Sequence, residues 1–248
     1  MGSDRSYGRS PADLRPVTIE PGFVRTADGS ALYEQGETRV ICTASVTAGV
    51  PRWLEGSNRG WVTAEYAMLP ASTGKRKERD SHRGRPDGRS VEIQRLIGRA
   101  LRAVVDLEAL GEHAIYVDCD VLQADGGTRC AAITGGWVAL RLATARLLDQ
   151  GAVVRDPLTG SVAAVSCGII DGEAVCDLDY AEDSRAEVDA NVVMSGEGGL
   201  VEVQATAEQT PVSRASFDEL IALAEPAIGR LRDAQASACE SAATPVPS

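Results

Sequence analysis

The sequence predicts an α+β fold, with mixed β-sheets flanked by helices. Three observations predict it. Short segments with period-two apolar alternation recur along the chain, at 15–19, 30–34, 38–46 and 60–67 and again in the second half. Helical apolar spacing follows Ser90, Thr128 and Ser216. The order is strands, helix, strand, helix, strands, helix, which is not the strict βα alternation of a parallel α/β sheet.

The polar residues 1–13 are expected to be flexible. The strand at 15–19 is followed by antiparallel partners at 30–34 and 38–46, the latter two joined across Gln35-Gly36-Glu37, a short glycine-containing hairpin connection. Pro51 to Asn58 reads as a surface loop, and 60–67 as a further strand. Residues 70–89 carry many charges with Gly and Pro punctuation and no period, so they form a long loop. Ser90 is the expected N-cap of a helix with Ile93, Leu96, Ile97, Ala100, Leu101 and Val104 on one face. Residues 113–123 make a strand, and Ile133, Trp137, Leu140, Thr144 and Leu147 lie on one face of the next helix, which Gly151 ends. Strands at 161–170, 173–178, 191–194 and 200–206 follow, the first two joined at Asp171-Gly172. Ser216 to Glu219 reads as a capping box heading the last helix, which Pro226 interrupts, and 236–248 reads as a disordered tail.

At 248 residues the chain can bury a full core. No run approaches the ~18 apolar residues of a membrane span, and the first 15 residues lack a signal peptide's apolar centre. The six cysteines include no CxxC pairing and read as buried small hydrophobes in a reducing cytoplasm. The net charge of −11 conceals an asymmetry, because Ala71 to Arg102 holds ten Lys or Arg against four Asp or Glu. A basic stripe on an acidic body can track a phosphate backbone, although a solvated loop would look the same.

Two stretches carry candidate chemistry. The first runs from Asp120 to Arg129, where an apolar strand ends in Gly126-Gly127-Thr128-Arg129 and a helix begins. Glycines at positive φ expose successive amides, and with a helix N-terminus, a hydroxyl and a guanidinium they suit a phosphate. A turn that merely needs glycine is the alternative. The second stretch, 177–189, holds six acids, of which Asp183 and Asp189 flank a break between strand-like runs and can point into one cleft. A Mg²⁺ ion accepts such a carboxylate pair with waters; a solvated acidic turn is the competing account. Glu182 and Glu187 are expected to face solvent. His82 and His113 stand in no catalytic context, and Cys130, without a nearby His, is expected to be a packed thiol.

Five motifs together resemble the ribonuclease PH family: 60–66, 88–97, 123–129, 163–168, and Glu182-Asp183 with Asp189. The resemblance runs from about Gly8 to about Leu231, in the family's order. It implies a ribonuclease PH-like catalytic domain over 14–235, assembled into a ring as a homohexameric trimer of dimers. The implied activity is a phosphorolytic 3′→5′ exoribonuclease that trims tRNA precursors with inorganic phosphate as co-substrate, releasing nucleoside diphosphates. Arg89 and Gly127-Thr128-Arg129 would then hold the phosphate, and Asp183 and Asp189 would hold Mg²⁺ or Mn²⁺ and support catalysis. Asp189 as a proton donor to the leaving 3′ oxygen stays open. Family members commonly carry a basic residue after the Leu-Pro that here is Leu69-Pro70, where this chain has Ala71; Arg76, Lys77 and Arg79 are the replacements expected to hold RNA. An inactive ring subunit would be expected to lose these arginines or aspartates, which this chain keeps. A polynucleotide phosphorylase needs a duplicated core, and a P-loop kinase needs a GxxxxGK[ST] that does not occur.

Overall fold

The computed structural model describes residues 5–79, 82, 84, 87–208 and 211–243. Its strands are β1 (Val17–Pro21), β2 (Gly29–Gln35), β3 (Thr38–Ala48), β4 (Trp61–Met68), β5 (His113–Gln123), β6 (Val162–Ile170), β7 (Glu173–Cys176), β8 (Val188–Ser195) and β9 (Leu200–Ala207). Its α-helices are α1 (Gly88–Arg102), α2 (Leu107–Leu110), α3 (Thr128–Asp149), α4 (Tyr180–Asp183) and α5 (Arg214–Ala243). The strands make a five-stranded sheet, β1-β2-β3-β5-β4, and a four-stranded sheet, β7-β6-β8-β9. Among the described residues only β4 and β5 pair in parallel, and the α1 crossover between them makes that possible. All other pairings are antiparallel.

Helix α3 ties the halves together. It packs on β2 and β3 of the first sheet and on β6 of the second. Its sequence is apolar or small almost all round, and residues 130–140 are buried without interruption. A helix with no polar face belongs inside a core. One continuous hydrophobic cluster therefore runs from Ala31 on β2 through α3 to Leu231 on α5.

Four expectations are corrected. Helix α1 starts at Gly88, and Ser90 is a buried residue of its first turn; Asp87 occupies the N-cap, its carboxylate turned to Lys77 and not to the helix amides. The cap of α5 is Ser213, whose hydroxyl accepts the Ser216 amide at 3.0 Å. Pro226 does not interrupt α5: it lies on the exposed side of the helix, which continues through it. The helix also continues past 236 to Ala243. Buried Gln235 anchors it there, its amide donating to the Thr134 and Val162 carbonyls at 2.9 and 3.0 Å. Residues 244–248 of the expected tail, and 1–4 of the expected flexible N-terminus, lie outside the described residues.

The described part of the N-terminus is held firmly. Arg5, Arg9 and Arg15 are 6%, 8% and 1% exposed, and all three face the segment that links β7 to α4. Their partners lie more than 160 residues away, so no local pattern marks them. The six cysteines are unbridged, and five are buried, as expected of packed thiols. No helix among the described residues is long and apolar enough to cross a membrane.

Candidate active site

The strand-to-helix junction at 126–129 is shaped by two glycines in the left-handed region, Gly126 at φ 75° and Gly127 at φ 66°. Gly126 has a second reason to lack a side chain. A Cβ there would stand 2.4 Å from the Leu178 carbonyl oxygen and 2.7 Å from the Asp179 carbonyl carbon. The glycine turn thus presses directly on the acidic segment. Thr38 braces it from β3, its hydroxyl donating to the Gly126 carbonyl at 2.7 Å and accepting the Asp125 amide at 3.0 Å. Gly127 is the N-cap of α3 and offers no side-chain cap, so the first amides of the helix point toward the cleft. Thr128 shares a 2.9 Å hydrogen bond with the buried Tyr66 hydroxyl of β4, which fixes its rotamer. The Arg129 guanidinium donates to Gln204 of β9 at 3.3 Å.

These residues line a cleft of about 760 Å³ that also receives Arg89 from the first turn of α1, Asp183 from α4 and Asp189 from β8. Asn191 lies two residues beyond Asp189 on the same face of β8 and accepts a hydrogen bond from the Cys130 thiol at 3.2 Å. Burial raises the Cys130 pKa strongly, as befits a packed thiol rather than a nucleophile. The Asp189 carboxyl is pushed above its ordinary value by burial and by the Asp183 charge, against the pull of Arg129 and Arg89. At the mouth of the cleft Asp183 is likewise raised, as the walls strip water from its carboxylate, while Arg89 and Arg129 oppose the shift. Two carboxylates and two guanidiniums therefore act on one another across a single space.

Of the sequence candidates, Arg89, Gly127, Thr128, Arg129, Asp183 and Asp189 are brought together here. Arg76 and Arg79 are exposed outside the lining, and Lys77 pairs with Asp87 at 3.0 Å. The loop side chains that do reach the lining are Thr73 and Lys75. Tyr66 and Ser166 carry no pattern that separates them from other strand residues. Glu182 corrects the expectation that it faces solvent: it is 4% exposed and bonded to Arg5 and Arg9. The signal was available, since Asp179 and Glu182 have capping-box spacing and form that box here.

As to a metal, no group of three or more His, Cys, Asp or Glu forms a ligand set among the described residues. The Asp183–Asp189 pair beside two guanidiniums fits a hard cation that keeps several waters and binds substrate oxygens, which is the habit of Mg²⁺.

The fold is two sheets around a buried helix, with a cleft that sets two carboxylates against two guanidiniums. Models of the 3′ exoribonuclease family match the chain over residues 13–145 for its domain 1 and 160–227 for its domain 2. The Ribonuclease PH of Roseobacter denitrificans is 56% identical over 234 residues, 94% of this chain and 99% of that protein. That of Rhodospirillum rubrum is 55% identical over 96% of this chain and 99% of the relative. Among solved structures, the Archaeoglobus fulgidus exosome with RNA bound to the active site superposes with a TM-score of 0.79 at 24% identity, covering 93% of this chain and 92% of that one. Rice (Oryza sativa) Rrp46 gives 0.76 at 21% identity over 95% of this chain and all of its own. The chain belongs to the 3′ exoribonuclease family.

Proposed function

We propose that the protein is a phosphorolytic 3′→5′ exoribonuclease that trims the 3′ extensions of tRNA precursors. Inorganic phosphate is its co-substrate and nucleoside diphosphates are its products, so excess diphosphate drives nucleotide addition. It is in this sense a phosphate-dependent tRNA nucleotidyltransferase. The observation that carries the reading is the meeting of Arg89, Gly127-Thr128-Arg129, Asp183 and Asp189 in one cleft.

Two anions must approach within bonding distance, and their repulsion is the barrier. Arg89, Arg129 and the first amides of α3 neutralise and orient the attacking phosphate, and the Thr128 hydroxyl held by Tyr66 adds a fixed partner. A phosphate oxygen forms a bond to the last bridging phosphorus as the bond from that phosphorus to the preceding 3′ oxygen breaks. The 3′ oxygen leaves with a proton. If Asp189 is not a metal ligand, its raised pKa suits a group that supplies that proton. Asp183 and Asp189 would hold Mg²⁺ or Mn²⁺, which when bound screens charge on the scissile phosphate. No separate base is needed, because phosphate is already an anionic nucleophile.

The basic loop, with Arg76, Lys77 and Arg79, would hold the RNA strand. The working form would be a cytoplasmic homohexamer, a trimer of dimers, as the family resemblance implies. The test is RNA degradation with and without inorganic phosphate, followed by product identification. Nucleoside diphosphates that appear only with phosphate support the reading, and monophosphates released in phosphate-free buffer would overturn it.

A further inference from the structure

The cleft has a support that none of its lining residues supplies. Helix α4 is a single turn, Tyr180–Asp183, too short to hold itself by its own hydrogen bonds. The residue that follows β7, Asp177, sits in the left-handed region at φ 57° although it carries a side chain, so the exit from β7 must also be imposed from outside. Both needs are met by the N-terminal segment. Arg5 clasps Glu182 from two sides, Nε to Oε1 at 2.6 Å and Nη2 to Oε2 at 3.1 Å. Its Nη2 also donates to the Cys176 carbonyl at 2.7 Å. Arg9 donates to the Asp177 carbonyl at 2.6 Å and to Glu182 Oε2 at 3.1 Å. Glu182 closes the loop through the capping box, its Oε2 accepting the Asp179 amide at 3.0 Å while Asp179 Oδ1 accepts the Glu182 amide at 2.9 Å.

We infer that Arg5 and Arg9 are positioning residues of the active site: by gripping Glu182 they fix the rotation of α4, and so aim Asp183 into the cleft toward Asp189. Successive helix residues point about 100° apart, the angle implied by 3.6 residues per turn. With Glu182 locked inward, Asp183 must face the cleft; a slip by one residue would bury Asp183 and expose Glu182. The chemistry of the clasp favours this role over simple stabilisation. Buried ion pairs lose much of their attraction to desolvation, and apolar side chains of similar volume hold a fold as well. What a two-point guanidinium–carboxylate clasp adds is a fixed orientation.

This rests on the proposed role of Asp183, so the experiment separates the two. Arg5→Gln and Arg9→Gln, singly and together, are compared with wild type in kcat and KM for phosphate at saturating RNA, in amide exchange resolved by segment, and in the melting shift produced by inorganic phosphate. The expected result is a kcat lower by about 10-fold to 10²-fold, the scale of a misplaced group, with KM for phosphate within about twofold. Exchange should quicken over 178–186 while β6 and α3 keep wild-type protection, and the phosphate-induced melting shift should persist. Unchanged exchange over 178–186, or faster exchange spread evenly through the chain, would overturn the inference. If the double variant does not fold, Glu182→Gln, which keeps shape and loses the ionic clasp, carries the same readouts and the same criteria. A wild-type enzyme without phosphate-dependent activity would sink the proposed function, while the exchange pattern would still decide whether Arg5 and Arg9 hold α4.

Discussion

Replacing Arg15 by Met should be among the most destabilising single changes outside the apolar core. The Arg15 and Asp177 side chains are 1% and 2% exposed, with Nη2 to Oδ1 at 2.6 Å and Nε to both carboxylate oxygens at 3.1 Å. Arg15 Nη1 also donates to the Asp125 carbonyl, so one side chain joins the N-terminus, the phosphate turn and the acidic segment. Methionine fills much of the volume but leaves the Asp177 carboxyl buried without its main cationic partner. Breaking such a pair from one side costs about 3–5 kcal/mol. Asp177 would keep the Arg15 backbone amide at 2.6 Å and the Arg9 guanidinium at 3.6 Å, which places the loss near the lower end, about 3 kcal/mol. Adding Asp177→Asn removes the stranded carboxyl and keeps a residue that tolerates the left-handed backbone. The double variant should then lie only about 1–2 kcal/mol below wild type. The assay is urea unfolding followed by fluorescence of the three tryptophans, at one protomer concentration because assembly is linked to stability. A single variant within about 0.5 kcal/mol of wild type, or a cycle in which the two changes simply add, would refute the reasoning.

Asp183→Asn and Asp189→Asn should fold normally and lose about 10²-fold or more in turnover, as expected for removal of an electrostatic group at the reacting centre; wild-type rates from either would remove both from the mechanism. Arg76→Ala with Arg79→Ala should weaken RNA binding and lower its salt slope by about 0.7 per lost phosphate contact, while Arg89→Ala should spare RNA affinity and abolish the response to phosphate. Titration of binding across salt and of turnover across phosphate checks that allocation, and the reverse pattern would contradict it. Acid should loosen the N-terminal clasp. Burial alone would raise the Glu182 pKa, but hydrogen bonds from Arg5 and the Asp179 amide, with the charges of Arg5 and Arg9, hold it below the ordinary value. Its contribution is therefore complete above the unfolded pKa of about 4.3 and is lost as pH falls through the lower folded value. Glu182→Gln should flatten the fall of stability below about pH 4.3, and an unchanged acid profile would count against the clasp.

The sequence by itself determined most of the secondary structure and the membership of the cleft. Strand β5 runs from His113 to Gln123 as its alternation predicts, because one face of a sheet meets a core and the other does not. Gly126-Gly127-Thr128-Arg129 was legible because a phosphate turn is contiguous: its glycines, hydroxyl and guanidinium are neighbours in the chain. Arg89, Asp183 and Asp189 could be tied to it only through the family resemblance, since nothing local says that they meet. Tertiary structure alone decided the rest. A residue's burial depends on what the remote chain brings to it, so Glu182 looked like a solvated acid until Arg5 and Arg9 arrived from more than 170 residues away. The same holds for the N-terminus and for the end of α5, where polar, low-period sequence reads as loose chain. Arg15 is fixed by Asp177 and Gln235 by two backbone carbonyls, partners that have no fixed spacing from them in sequence. Periodicity reports which face of an element meets apolar surroundings; it does not report a charge or an amide that finds its partner across the fold.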